Sequence, residues 1–90
     1  MTAFLISYDL NDPGQSYEEI LKEIKSYKTW AKISESSYVV IAPNCAANAV
    51  FAPFKKIIDE NDRLYVIELG SDFAGYGPEK LNAWLEKYLK

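Results

Sequence analysis

The sequence predicts an α+β domain: a four-stranded antiparallel sheet crossed by two helices and followed by a third. Three observations carry this. The segments 3–10, 29–35, 38–42 and 63–69 read as strands. Apolar residues recur at helical spacing within 16–27, 45–58 and 78–89. Only Ser36-Ser37 separates the second strand from the third, too short a link for anything but a hairpin.

Residues 3–10 (AFLISYDL) set Phe4, Ile6, Tyr8 and Leu10 against Ala3, Leu5, Ser7 and Asp9. Both faces are largely apolar, as in a central strand lying between two other layers. Asn11-Asp12-Pro13-Gly14 concentrates turn chemistry after it. Ser16 and Glu19 have capping-box spacing, which predicts a helix from there to about Tyr27. Ile20, Leu21, Ile24 and Tyr27 form its apolar face. After the hairpin, Pro43-Asn44 ends a strand and Asn44 is placed to cap a helix over 45–58. Pro53 removes one donor and crowds the Ala49 carbonyl, so a kink or restart is expected there. Asp59-Glu60-Asn61-Asp62 is an acidic turn before the strand RLYVIEL. The loop 70–77 holds three glycines that permit φ > 0, with Phe73 and Tyr76 as its anchors to the core. Pro78 then suits the first position of a last helix carrying Leu81, Trp84, Leu85 and Tyr88.

The order β-α-β-β-α-β with right-handed crossovers gives a ferredoxin-like plait over a single domain, 1–90, with an extra C-terminal helix from about 78 to 89. Strands one and three take the centre, and both crossover helices lie on one face. The other face needs the last helix, a second protomer or a ligand. Because a chain of 90 residues buries a small core, a homodimer is the expected assembly.

Composition narrows the chemistry. The chain is 49 % apolar, which is globular rather than disordered. Ten basic against thirteen acidic residues give a net charge of −3, so no standing field draws nucleic acid. Zero histidines and one cysteine exclude Ser-His-Asp and Cys-His nucleophiles and Cys/His metal clusters. A hard cation would have to be held by carboxylates and carbonyls. The N-terminal apolar run is broken by Ser7, Tyr8 and Asp9 and lacks a basic flank, so no signal peptide or membrane span is expected and the default setting is cytoplasmic.

Leu5 to Gln15 with Tyr17, Glu35-Ser36, Asn61 to Glu68, Gly75-Tyr76-Gly77 and Trp84-Leu85 together resemble a group of small bacterial SinR-like proteins. More remotely, the chain resembles the CRISPR-associated adaptation endoribonuclease family and its relative, virulence-associated protein D. That resemblance implies a homodimeric plait with a Tyr-Asp pair ending strand one, here Tyr8-Asp9. It implies that Asp9 of both protomers holds a shared Mg²⁺ for phosphodiester cleavage, with Tyr8 in support. Such an ion would activate water and neutralise the transition state. The chain departs from the family's Arg-rich helix start: it has no Arg before position 63, and carries Asp12, Glu18, Glu19 and Glu23 there. The strand that some members exchange between protomers is replaced by the last helix.

Two functional readings result. The first is a non-catalytic interaction module that keeps the scaffold but lacks the basic residues, with Trp30 and Tyr65 as interface candidates and a protein as partner. The alternative is a Mg²⁺-dependent endoribonuclease with catalytic and metal-binding Asp9 and a supporting Tyr8. Asp9 has a structural reading as well, as a strand-end acceptor for the following turn. The loop 70–77 lacks the Lys and Ser/Thr of a phosphate-binding loop. Tyr8, Trp30, Tyr38 and Tyr65 serve core or interface rather than base stacking, since the Arg/Lys-Gly-aromatic pattern is missing. Lys55, Lys56 and Arg63 are flanked by acids and read as solvated surface, and Cys45 as a small buried residue.

Overall fold

A computed structural model describes residues 1–11 and 14–90. The chain runs β1 (Thr2–Asp9), α1 (Gly14–Lys25), β2 (Trp30–Ser34), β3 (Ser37–Ala42), α2 (Ala47–Lys55), β4 (Arg63–Leu69) and α3 (Glu79–Leu89). The strands pair antiparallel in the order β2-β3-β1-β4. This is the α+β plait with a C-terminal helix that the element order predicts. The two strands with the most continuous apolar character, β1 and β3, occupy the centre, where both faces are covered.

Strand alternation divides the interior into two layers. Phe4, Ile6, Tyr8, Tyr38, Val40, Ala42 and Leu64 point to one face and meet Ile20 and Ile24 of α1 and Val50 and Phe54 of α2. Each fully buried large side chain there contributes about 1.5–3 kcal/mol, so this layer supplies most of the stability. On the opposite face Ala3, Val39 and Ile41 are buried under Trp84, Leu85 and Leu89 of α3, with Leu5, Ile33 and Leu69 around them. The last helix therefore covers the second face of its own sheet, but only in part. It lies toward β2, and none of its residues is fully buried. Tyr65 and Ile67 of β4, on that same face, stay 65 % and 51 % exposed.

Several local expectations are corrected. Helix α1 begins at Gly14, so Ser16 lies inside its first turn instead of capping it. The turn chemistry expected of Asp12 and Pro13 lies outside the described residues. The β2–β3 turn sits at Glu35-Ser36, one residue early, because Ser37 already pairs with Ser7 and Ser34. Helix α2 starts behind Ala46, not Asn44, and has no side-chain cap. Pro53 stays within it and leaves the Ala49 carbonyl without its usual donor; the helix ends at Lys55 and does not reach 58. None of the described glycines has a positive φ, so the loop 70–77 does not use that freedom. Phe73 is partly buried but Tyr76 is fully exposed, so one ring, not two, anchors the loop. Among the described residues no helix is long and apolar enough to cross a membrane.

Candidate functional site

Three segments distant in sequence meet at the C-terminal end of β1. The strand's last residues, the first turns of α1 and the β2–β3 turn enclose a cavity of about 340 Å³ lined by Tyr8, Asp9, Leu10, Tyr17, Glu35 and Ser36. Alternation along β1 sends Tyr8 inward and Asp9 outward. Tyr8 is 6 % exposed, and its hydroxyl donates to the Glu35 carbonyl at 3.3 Å. Its backbone N–H donates to the Ser36 carbonyl at 3.0 Å, fixing the hairpin turn against β1. The Tyr17 ring stands edge-on to Tyr8, centroids 6.2 Å apart. Burial pushes the Tyr8 hydroxyl well above the ordinary tyrosine range, with Tyr17, Tyr38 and Glu35 adding to the rise. Tyr8 is thus a neutral hydrogen-bond donor at any physiological pH.

Asp9 is exposed and lies opposite Arg63 in the β1–β4 register, a favourable cross-strand charge pairing. Glu35 Oε2 faces Lys32 Nζ at 3.6 Å, both side chains largely in water. Among the described residues no group of three or more His, Cys, Asp and Glu converges as a metal would require. Mg²⁺ takes octahedral oxygen ligation. The carboxylates of one chain, one of them engaged by Lys32, do not complete such a site.

The sequence candidates separate in space. Tyr8 and Asp9 share the cavity. Trp30 lies on the helix-covered face, its ring 6.1 Å from Tyr38, with Lys25 Nζ over the ring 5.5 Å from its centroid. Tyr65 lies on the opposite face in solvent. The two interface candidates therefore do not belong to one surface. Tyr38 is buried core. Burial raises its hydroxyl, as it does that of Tyr27, while Lys32 partly opposes the rise at Tyr38. Cys45 is free and partly buried. Tyr17 and Glu35 join the site from α1 and the β2–β3 turn, and no local spacing in the sequence brings either of them to Tyr8.

One further arrangement ties the site to β4. The Asp62 carboxylate accepts from the Asn11 N–H at 2.9 Å and from the Asp59 N–H at 3.0 Å. It clamps the chain leaving β1 to the turn entering β4. A second cavity, about 420 Å³ and mainly apolar, lies between α3, the 73–78 segment and the sheet. A third, about 350 Å³, lies between α2 and β4, lined by Ala47, Asn48, Phe51, Leu64, Tyr65 and Val66. In comparisons with known proteins, no family model, no curated protein and no solved structure matches this chain.

Proposed function

We propose that this chain is a non-catalytic interaction module, related to the CRISPR-associated endoribonuclease family, that acts as a homodimer. The observation that carries the reading is the incomplete cover on the second sheet face. Tyr65 and Ile67 stand in water beside the half that α3 covers. Large exposed apolar side chains next to a sheet edge mark association surfaces, where aromatic residues are enriched. The cavity at Tyr8 and Asp9 supports a protein partner over a polyanion, because none of its lining residues is basic.

The test compares two variants. Tyr65→Lys, at an exposed position, shifts unfolding by no more than about 0.5 kcal/mol and converts the dimer to monomer by sedimentation velocity. Asp9→Ala leaves the mass in solution unchanged. A parent chain that is monomeric throughout a dilution series refutes the reading. The alternative, a Mg²⁺-dependent endoribonuclease using Asp9 of two protomers, draws on Asp9 and Glu35 lining one cavity. Metal-dependent RNA cleavage that Asp9→Ala abolishes would establish it in place of the module.

A further inference from the structure

Backbone hydrogen-bond directions single out one edge of the sheet. The Tyr8 N–H donates toward β3, and antiparallel pairing alternates, so the even-numbered residues of β1 face β3. The Ile41 N–H, which donates to the Thr29 carbonyl at 3.0 Å, obeys the same alternation. Ala3, Leu5, Ser7 and Asp9 therefore exchange their bonds with Leu69, Ile67, Tyr65 and Arg63 of β4. That leaves the N–H and C=O groups of Leu64, Val66 and Glu68 pointing outward. Among the described residues no strand, turn or loop bonds to this edge. Only another extended strand matches such a row of donors and acceptors.

We infer that the occupant is the same edge of a second copy: β4 pairs antiparallel with β4 about a two-fold axis at Val66, joining two sheets into one of eight strands. This rests on the self-association reading above and specifies its geometry. Because β4 spans Arg63–Leu69, a two-fold at Val66 pairs every residue of the strand. It sets Tyr65 of each copy opposite Ile67 of the other on one face, covering both exposed apolar side chains with aromatic–β-branched pairs. On the other face Val66 meets Val66 beside the 350 Å³ recess that Phe51 and Ala47 form with the strand. A two-fold at Glu68 would oppose like charges, and one at Leu64 would leave Ile67 beyond the paired strand.

The geometry separates this dimer from one with a shared metal. Asp9 sits opposite Arg63, one strand in from the edge and three residues from the axis. With strands about 4.8 Å apart and a rise of about 3.4 Å per residue, the two Asp9 positions are roughly 25 Å apart. Shared ligation needs carboxylate oxygens within about 4 Å.

Nitroxides placed through Asp9→Cys in a Cys45→Ala background are read by pulsed electron resonance. The expected separation is roughly 25 Å plus the label arms. A dimer with the labels at the axis overturns edge pairing while leaving self-association standing. A monomer at every dilution overturns both. The register is tested by charge exchange: Tyr65→Lys weakens the dimer roughly tenfold or more. Adding Ile67→Glu to the same chain restores it by setting opposite charges face to face, whereas adding Ile67→Lys does not. Equal behaviour of the two double variants overturns the Val66 register.

Discussion

Alkaline pH acts on this protein through Tyr8. The ring is 6 % exposed and burial holds its proton well above the ordinary tyrosine value, whereas the unfolded chain releases that proton near pH 10. Above that pH the native state binds more protons than the unfolded state, so stability falls as pH rises. The contribution is fully present below about pH 10 and drains away toward the folded value. At pH 11 the unfolded chain gains about 1.4 kcal/mol from ionising this one tyrosine. Tyr8→Phe removes that linkage and also the 3.3 Å hydrogen bond to the Glu35 carbonyl. Such a bond contributes about 0.5–1 kcal/mol. The variant is therefore less stable than the parent at pH 8 by that amount. The order reverses by pH 11, where the variant leads by about 0.5 kcal/mol. Tyr27 and Tyr38, also raised by burial, are common to both chains and cancel in the comparison. Urea unfolding at the two pH values measures the difference. Parallel losses in the two proteins would refute the assignment of Tyr8 as a neutral buried donor.

Two substitutions probe the scaffold. Phe54→Ala empties a fully buried position between α2 and the sheet and is expected to cost about 3–5 kcal/mol in urea unfolding. Asp62→Ala releases both the Asn11 and Asp59 amides from their shared acceptor and is expected to cost about 1–2 kcal/mol. Its amide exchange should accelerate at Asn11 and Asp59 more than in the centre of β1.

Legibility in the sequence followed the range of the interaction. β4 occupies Arg63–Leu69, the bounds of RLYVIEL, because a half-exposed strand between an acidic turn and a glycine carries its own limits. Ile20 and Ile24 fell where the helical period put them. Helix starts were less legible. Ser16 with Glu19 has capping spacing, yet α1 already begins at Gly14. Asn44 is a good cap, but α2 begins behind Ala46, where the backbone is extended. The Tyr8–Asp9 cavity is not legible in the sequence because it is formed by segments that meet only in space: Glu35 is 27 residues from Tyr8. How far α3 reaches across the second face depends on its packing angle, which no spacing in the chain encodes. Trp30 and Tyr65, both aromatic strand residues, end on opposite sides of the sheet because register sets Trp30 across from Val40 and Tyr65 across from Ser7, whose side chains point to opposite faces.

Amide hydrogen exchange along β4, followed through a dilution series, reaches the central claim most directly. With β4 edges paired, the Leu64, Val66 and Glu68 amides become more protected as concentration rises, while Tyr65 and Ile67, bonded to β1 in either state, change little. Fast exchange at those three outward amides at every concentration would contradict it.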